Sequence, residues 1–270
     1  MGGNQKHVTV AAVVITLNEE RNISACMGSV RWADEIIVVD AQSGDRTVEI
    51  AGKYTEKVFV RPWPGFGPQK NFAMEQATAD WILIVDADER VSDGLRDEIK
   101  TLLRNSPSPL PSPSRGEGIA DAYRIPRRNY YYGRWICGGG QYPDLQLRLV
   151  RRGCGRYNNL PVHEHLEVEG QIGELHGHLD HHSYPTVLAH ERKIDWYSTL
   201  SAQERIQAGK PQAVWYHLLV NPLWTFIKVY LLRGGYRDGL HGFLFSGFSA
   251  AHVLLKYAKL WEREHVSQER

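Results

Sequence analysis

Cysteine is scarce in this chain of 270 residues, and the scarcity excludes two classes of small protein. There are three cysteines, Cys26, Cys137 and Cys154, and no pair of them has CxxC spacing. An odd number without that spacing fits neither a disulfide framework nor a zinc-binding module. The sequence therefore favours a protein of the reducing cytosol whose thiols are small buried side chains.

Long apolar runs are missing from the first residues of the chain. Residues 1–7 are polar, and the apolar run behind them extends only over residues 8–15. The run lacks the cleavage pattern of a secretory signal peptide, so a first β-strand is the better interpretation. We expect a protein that stays on the cytosolic side of the membrane.

Several catalytic signatures are also absent. The chain has no GxxxxGK[ST] phosphate loop and no GxSxG nucleophile elbow. Gly65 and Gly67 lack the third glycine of a dinucleotide fingerprint and follow the third predicted strand rather than the first. The triplet His163-Glu164-His165 does not continue to HExxH. These absences count against ATP hydrolysis, esterase chemistry and hydride transfer.

Acidic residues are missing from particular stretches, although the total charge is close to zero. Lysine and arginine number 32 against 31 aspartates and glutamates, for a formal net charge of +1. Between Tyr123 and Arg156, however, eight arginines accompany a single acid, Asp144, and no acid lies between Arg205 and Arg237. The near-neutral sum therefore does not exclude anionic partners.

What the sequence does contain is a regular alternation of strand and helix patterns over its first hundred residues. Continuous apolar runs predict four buried strands, at residues 8–16, 35–40, 58–60 and 81–85. A helical pattern follows each strand, at residues 22–30, 45–54, 68–77 and 92–104. Continuous rather than alternating apolar runs indicate a mostly parallel sheet with helices on both faces. The predicted fold class is α/β, with a layout typical of nucleotide binding.

Beyond residue 104 the composition changes. Residues 105–118 are rich in proline and serine and predict a disordered surface insertion. Strand patterns return over residues 119–185, and residues 186–270 predict a helical extension. In that extension, Asn221 and Pro222 predict the start of a helix that ends near Arg233. Its length of roughly 18 Å is too short for a membrane span, so packed or interfacial helices are favoured.

A pair of carboxylates stands at the end of the fourth predicted strand, in the triplet Asp86-Ala87-Asp88. In an open α/β sheet, ligands bind beyond the carboxyl ends of the strands. Hard oxygen ligands suit Mg²⁺ or Mn²⁺, and a metal there would neutralise charge on a departing diphosphate. The alternative is a solvated acidic turn.

The other predicted strand ends carry polar side chains too. Thr16, Asn18 and Glu19 follow the first strand, and Asp40 ends the second, where these groups could contact a base or a ribose. Lys70 and Asn71 open a helix whose dipole favours a diphosphate. Each residue alone is compatible with a helix cap or a turn, but their clustering at one sheet edge favours a nucleotide site.

Eight ordered stretches connect this chain to a known family: VVITLNEERNI, EIIVVDAQSGDRTVEIA, VFVRPWPGFGPQKNFAM, WILIVDADERV, YRIPRRNYYYGRWI, DLQLRLVRRG, VHEHLEV and LLKYAKLWE. Together they resemble family 2 glycosyltransferases of the GT-A fold, in particular the lipopolysaccharide core β-1,4-glucosyltransferase-like subgroup. The resemblance implies a hexosyltransferase that moves a sugar with inversion from a nucleotide donor, UDP-glucose, to a heptose of the inner core. Another cell-envelope polysaccharide as product and a sugar nucleotidyltransferase activity are the alternatives.

The resemblance also implies roles for parts of the chain. Residues 1–104 would form the nucleotide-sugar-binding half and residues 119–185 the acceptor-binding half. Asp86, Ala87 and Asp88 would form the metal and diphosphate motif, with Mg²⁺ or Mn²⁺ as cofactor. The remaining donor-binding residues would be Thr16, Asn18, Glu19, Asp40, Lys70 and Asn71. His163 would complete the metal site, although a packed core histidine is the alternative.

An inverting displacement needs a carboxylate that deprotonates the acceptor hydroxyl. Asp144 is the first candidate because it is the one acid in the arginine-rich segment. Its alternative role is an ion pair with Arg148. Glu164 is the second candidate for the base.

Arginines predict where the acceptor binds. Arginine grips phosphate and carboxylate groups with two parallel hydrogen bonds, so Arg127, Arg128 and Arg148 would line a cleft for an acidic, phosphorylated oligosaccharide. The alternative is a solvated strand face. No recognised nucleic-acid-binding motif accompanies the charge, so nucleic acid is not expected as a partner.

The helical extension combines aromatic and basic residues, among them Trp215, Trp224, Lys228 and Arg233. This composition suits the surface of a membrane with anionic lipids. We therefore expect a cytoplasmic protein that is peripheral on the inner face of the cytoplasmic membrane and acts on a lipid-linked acceptor. Packing on the rest of the chain, or dimerisation, is the alternative for these helices.

Overall fold

A computed structural model describes residues 7–104, 120–158, 164–209 and 215–266. The predicted insertion at 105–118 and the predicted metal ligand His163 lie outside these residues. The chain divides into two compact units: unit 1 comprises Met1–Arg127 and Asp144–His181, and unit 2 comprises Arg128–Pro143 and His182–Arg270. The assignment of donor and acceptor halves to sequence ranges remains a prediction.

Unit 1 is built on a sheet that begins with four parallel strands. They are β1 (Val10–Thr16), β2 (Glu35–Asp40), β3 (Val58–Val60) and β4 (Trp81–Asp86). In space their order is β3-β2-β1-β4, with β1 parallel to both β2 and β4. Every residue of β1 is buried, because helices cover both faces of the sheet.

Four helices provide that cover: α1 (Ile23–Val30), α2 (Thr47–Ala51), α3 (Phe66–Glu75) and α4 (Asp93–Arg104). Ile23 of α1 and Leu95 of α4 share one apolar cluster, and Met74 of α3 belongs to a second cluster. The hydroxyl of Ser92 accepts a hydrogen bond from the backbone N–H of Leu95, so α4 begins where its cap was predicted. Helices on both faces confirm this part of the predicted fold class.

The rest of the chain adds mainly antiparallel strands. They are β5 (Glu89–Val91), β6 (Ala122–Tyr131), β7 (Arg134–Trp135), β8 (Asp144–Arg151), β9 (Gly155–Tyr157), β10 (Leu166–Val168), β11 (Ile172–Glu174) and β12 (Leu179–Tyr184). Strand β8 pairs antiparallel with β4 and with β6, and β5 pairs with the start of β12. Strand β4 thus lies between the parallel strands and the antiparallel ones, and the Asp86-Ala87-Asp88 triplet follows at its end.

Unit 2 is mainly helical. Its helices are α5 (Val187–Gln207), α6 (Trp215–Ile227) and α7 (Gly239–His265), and a π-helical turn (Lys228–Leu232) and a 3₁₀ turn (Gly235–Asp238) connect the last two. Thr186 caps α5 through a hydrogen bond from the backbone N–H of Ala189 to its hydroxyl, 3.1 Å long. In the part of the chain that the structure describes, no helix is both long and apolar enough to cross a membrane.

The predicted start of the tail helix at Pro222 is wrong. Pro222 lies inside α6, which begins at Trp215. A proline inside a helix removes one backbone hydrogen bond and strains the preceding turn. Packing on α7 holds the helix on both sides of it: His217 stacks on Tyr257 with 4.5 Å between ring centroids, and Phe226 meets Phe243 at 5.5 Å. These tertiary contacts outweigh the local signal of the proline.

Candidate functional site

The loops that follow β1 and β2 are bonded to each other. The backbone N–H of Asn18 donates to the Ser43 hydroxyl, and the Asn18 side-chain oxygen accepts from the N–H of Gly44, both over 2.8 Å. The N–H of Glu19 donates to the hydroxyl of Thr47, also over 2.8 Å. Asn18 has a φ of 54°, a backbone conformation that asparagine tolerates better than most residues. The two predicted nucleotide-binding loops therefore form one fixed edge.

Asp40 and Thr16 stand beside each other at this edge, where their backbones pair across β1 and β2. The Asp40 side chain is fully buried and accepts hydrogen bonds from the Ser43 N–H (2.7 Å) and hydroxyl (2.5 Å). The hydroxyl oxygen of Thr16 is buried without a hydrogen-bond partner among the described residues. A buried, unpaired hydroxyl is costly, so Thr16 has an unused hydrogen-bonding group for a ligand.

Glu89 is the centre of a buried charge network, and the sequence interpretation missed it. Its side chain is 0% exposed, and one carboxylate oxygen accepts from the backbone N–H of Asp86 over 3.0 Å. The other oxygen accepts from the guanidinium groups of Arg148 (2.8 Å) and Arg127 (3.4 Å). Buried arginines need buried anions, so the excess of arginine over acid between residues 123 and 156 was a signal for such a carboxylate elsewhere.

Asp86 joins this network through two cations. One Oδ atom accepts from Arg148 over 2.5 Å, and the other lies 3.5 Å from the Nζ of Lys70 and has no hydrogen bond among the described residues. Burial alone would raise the pKa of Asp86, but Arg148 and then Lys70 hold it well below its ordinary value. Burial alone would likewise lower the pKa of Arg148, yet Asp86 and Glu89 keep it well above the ordinary value. Both groups are therefore charged at neutral pH.

Lys70 does not open a helix as predicted, because α3 begins at Phe66 and Lys70 is its fifth residue; its side chain is buried, with 4% exposed. Its ammonium group is 3.2 Å from Glu164 and 5.1 Å from the ring centroid of Tyr157. Burial opposes the charged form, but Asp86, then Tyr157 and Glu164, raise the pKa of Lys70 above its ordinary value. Lys70 is thus a permanent positive charge beside the strand end.

The side chain of Asn71, the neighbour of Lys70, makes hydrogen bonds to the backbone of another element. Its amide nitrogen donates to the carbonyl of Tyr157, and its amide oxygen accepts from the N–H of Tyr157, each over 2.8 Å. Both polar atoms of Asn71 therefore hold strand β9 against helix α3. A contact between Asn71 and a donor stays a prediction.

The two candidate bases are held by different cations. Asp144 accepts from the Nε of Arg127 over 2.8 Å and from the side-chain amide of Gln146 over 2.6 Å. The residue opposite Asp144 in the β6–β8 pairing is Arg127, whereas the alternative partner named for Asp144 was Arg148. Glu164, in contrast, is bonded to Lys70. The structure leaves the choice between the two bases as a prediction.

The three arginines expected in an acceptor cleft have three different environments. Arg127 bridges Asp144 and Glu89, whereas Arg148 is 3% exposed and buried against Asp86. Arg128 belongs to unit 2, where its guanidinium lies 5.6 Å from the ring centroid of Trp135. Successive residues of a strand point to opposite faces, which separates Arg127 from Arg128. An acceptor role for these arginines remains a prediction.

Asp88 lies next to a histidine that was not included in the predicted metal site. The Nε2 of His181, a residue of strand β12, is 3.3 Å from an Oδ of Asp88. Within the described ranges, no group of three or more histidine, cysteine, aspartate or glutamate side chains could hold a metal by itself. A carboxylate and an imidazole nevertheless suit Mn²⁺, and the Oδ of Asp86 that makes no hydrogen bond among the described residues is an additional oxygen ligand.

Comparison with known proteins gives three consistent matches. Residues 11–134 match the profile of Glycosyl transferase family 2. The lipopolysaccharide core biosynthesis glycosyltransferase LpsC of Rhizobium meliloti (strain 1021) is 32% identical over 261 residues, which are 94% of this chain and 92% of that protein. An uncharacterized glycosyltransferase of Rickettsia typhi, RT0209, is 30% identical over 263 residues, covering 94% and 87% of the two chains.

A solved structure confirms the fold class at low sequence identity. The mannosyltransferase PcManGT from Pyrobaculum calidifontis, in complex with GDP-Man and Mn²⁺, aligns with a TM-score of 0.51 and 15% identity. The alignment covers 97% of this chain and 90% of that one. The α/β architecture of the GT-A type predicted from the sequence is therefore correct.

Proposed function

Since the chain belongs to glycosyl transferase family 2 and is a glycosyltransferase, we propose that it transfers glucose from UDP-glucose to a heptose of the lipopolysaccharide inner core. The relative LpsC, named for lipopolysaccharide core biosynthesis, supports the acceptor class. One structural observation carries the proposal: the end of β4 combines two carboxylates, Asp86 and Asp88, with two buried cations, Lys70 and Arg148. That combination suits a metal-bound diphosphate.

The uridine is bound by the joined loops after β1 and β2. Thr16 supplies its unpaired hydroxyl, and Asn18, Glu19 and Asp40 fix the shape of the edge. Because these loops are bonded to each other, little ordering is needed when the nucleotide binds. Pre-formed loops support tight and selective donor binding.

The diphosphate lies at the end of β4. Lys70 and Arg148 are permanently charged and face its negative oxygens, while Asp88 and His181 are the proposed ligands of Mg²⁺ or Mn²⁺. Two protein ligands are enough, because such metals usually complete their coordination with substrate phosphates and water. When bound, the metal neutralises charge that develops on the departing diphosphate.

The reaction is a single displacement with inversion. The acceptor hydroxyl oxygen forms a bond to the anomeric carbon as the bond from that carbon to the UDP oxygen breaks, and a carboxylate takes the hydroxyl proton. Asp144 and Glu164 are the two proposed bases. Arg127 orients Asp144 from across the β6–β8 pair, and Lys70 orients Glu164.

The test is transfer by the full chain with a panel of nucleotide sugars, with and without Mn²⁺ or Mg²⁺. We expect metal-dependent release of UDP from UDP-glucose and a product of β configuration by NMR when a heptose acceptor is present. Retention of configuration, or turnover with another nucleotide sugar only, would contradict the proposal. Activity on a different envelope oligosaccharide but not on heptose would favour the alternative product class.

Two conservative variants identify the base. We expect the true base to lose about 10²- to 10⁴-fold in kcat when its carboxylate becomes an amide, with unchanged donor binding. Asp144→Asn and Glu164→Gln are matched in this respect, because each removes one charge and little volume. Donor affinity is measured by titration with UDP. Equal and small losses in both variants would exclude both residues as the base.

An acceptor anchored in lipid requires the enzyme to act at a membrane surface. We therefore place its action at the cytoplasmic face of the inner membrane. The basic and aromatic composition of the helical extension supports this location. Fractionation of cells that express the full chain is the direct measurement, and recovery entirely apart from membranes would contradict it.

A further inference from the structure

Unit 2 exposes an unusual number of large apolar side chains along α6 and the turns that follow it. We call the surface formed by Trp215, Leu219, Leu223, Trp224, Leu232 and Leu240 the apolar face; these side chains are between 54% and 70% exposed. Isolated exposed leucines are ordinary, but a run of this kind marks an interaction surface. The feature therefore needs a partner.

The spacing shows that the exposure follows from how α6 packs. Trp215, Leu219 and Leu223 are four residues apart and lie along one stripe of the helix. The buried side of the helix carries His217, which is 8% exposed and stacks on Tyr257 of α7. A surface helix normally turns its polar side outward. In α6 the apolar stripe is the exposed one.

The exposed charges in the stretch of chain that carries the apolar face are positive. Between residues 206 and 261 the chain contains a single acid, Asp238. Asp238 is 5% exposed, and its two oxygens accept from the backbone N–H groups of Cys137 (3.2 Å) and Gly138 (2.7 Å). Lys228, Arg233 and Arg237 of the same stretch are exposed. The surface therefore presents apolar side chains and positive charge together.

We propose that the apolar face binds the surface of a bilayer that contains anionic lipids, with α6 lying in the plane of the interface. Leucine and tryptophan side chains would enter the headgroup boundary, and Lys228, Arg233 and Arg237 would contact lipid phosphates. Helix α6 has 13 residues, or roughly 20 Å, and is too short to span the hydrocarbon core. Binding is therefore peripheral.

Charge argues against a second copy of the chain as the partner. A symmetric dimer brings the same patch of both copies together, so the three basic residues of one copy would meet those of the other. Lipid phosphates neutralise these residues, whereas a like surface repels them. The bilayer is thus the better complement.

The inference deepens the proposed action on a membrane glycolipid and rests on it for its biological sense. Its test is independent, because it uses vesicles that contain neither donor nor glycolipid. The full chain is floated with phosphatidylcholine vesicles, with and without phosphatidylglycerol, at low and high salt. We expect binding that requires phosphatidylglycerol and weakens with salt. Equal binding to both vesicle types, or no binding to either, would overturn the proposal.

Substitutions test which residues contact the bilayer. We expect Leu223→Gln with Trp224→Gln to lower partitioning roughly tenfold or more through lost apolar burial. Lys228→Gln with Arg233→Gln should lower it about fivefold for each charge removed. Ile172→Gln is the matched control, because Ile172 is 40% exposed but lies on β11 of unit 1, and it should bind like the wild type.

Light scattering in the absence of lipid tests whether the apolar face forms a dimer instead of binding a membrane. A wild type that is dimeric, with a monomeric Leu223→Gln/Trp224→Gln variant, would assign the apolar face to a dimer and overturn the proposal. Each variant must have the circular dichroism spectrum of the wild type before its vesicle binding is compared. Vesicle binding without any glycosyl transfer would remove the proposed function and leave this inference intact. Glycosyl transfer without vesicle binding would overturn this inference and leave the proposed function intact.

Discussion

The two units place charge and apolar surface in opposite ways. In unit 1, Glu89 and Arg148 are almost fully inaccessible, and both belong to a chain of ion pairs at the end of β4. In unit 2, Trp215 and Leu240 are about as exposed as side chains in a folded protein become, at 70% and 69%. Charged residues are rarely buried and clusters of large apolar residues are rarely exposed, so both arrangements depart from the usual pattern.

The departures differ in how they are tied to the fold. Each buried charge of unit 1 is compensated by its neighbours, so the loss of one leaves others unpaired in a low-dielectric interior. The side chains of the apolar face extend away from the protein and support little else. The comparison indicates that the first arrangement is coupled to stability, while the second is nearly free of such coupling.

The largest effect is expected at the hub of the network. Glu89→Gln removes the charge that compensates Arg148 and Arg127, and we expect the free energy of unfolding to fall by about 3–5 kcal/mol. Urea denaturation measures this free energy of unfolding. The control is Glu49→Gln, which breaks an exposed ion pair with Lys53 and should leave the denaturation midpoint where it was. If both variants unfolded at the same urea concentration, the network would have no energetic role.

The second-largest effect is expected on acidification, where the two units should lose stability at different pH values. Burial, followed by the charge of Lys193, lowers the pKa of His190 in unit 2 from 6.5 to about 4. The unfolded chain binds this proton first, so the contribution is complete above about pH 6.5 and is lost as the pH falls towards 4, by up to about 3 kcal/mol. The depressed pKa of Asp86 works in a lower window: its contribution is present above the ordinary aspartate pKa of about 3.9 and is lost below it.

We therefore expect unit 2 to loosen at a higher pH than the donor site, as measured by hydrogen exchange over a pH series. His190→Phe keeps a ring that can stack on Tyr184, where the centroids are 3.8 Å apart, but has no proton to bind. It should flatten the pH dependence of stability between 4 and 6.5. An unchanged slope in this variant would mean that another group controls the acid response of unit 2.

Arg127 and Arg128, both predicted to bind the acceptor, should differ in their effect on turnover. If Asp144 is the base, Arg127→Gln removes its orienting partner, and we expect kcat for transfer to fall roughly tenfold to a hundredfold. Arg128→Gln, one residue further along β6, should leave kcat unchanged and raise the KM for the acceptor a few-fold. Steady-state kinetics with donor saturating measure both. Identical kinetic defects would show that the two arginines act as one site.

The smallest effect is expected on the apolar face. Leu219→Gln exchanges a side chain that is 66% exposed, so the free energy of unfolding should change by no more than about 0.5 kcal/mol. Leu95→Ala, at a fully buried position of α4, should cost about 2–5 kcal/mol in the same measurement. A large loss in Leu219→Gln would mean that the face is part of the core of unit 2.

Patterns within a segment of the sequence predicted the fold well. They did not predict which residues of different segments would contact each other. Continuous apolar runs correctly predicted β1 to β4, because a strand buried on both faces has no polar alternation. The start of α6 was missed because packing against α7 overrides the signal of Pro222. The hub Glu89, the pairing of Asp144 with Arg127, and the approach of His181 to Asp88 all depend on strand register, which a single sequence does not display.

The interleaving of the two units has a consequence for synthesis on the ribosome. Residues 128–143 of unit 2 emerge before residues 144–181, which unit 1 still needs, and Asp238 later binds the backbone of Cys137 and Gly138. Neither unit is a continuous piece of chain: unit 1 is complete once residue 181 has emerged, whereas unit 2 still needs the segment that begins at His182. A stop codon between residues 182 and 237 would leave Cys137 and Gly138 without Asp238, which binds their backbone. Natural variation in the length of this protein should therefore occur in its loops or beyond Asp238, and not by truncation before that residue.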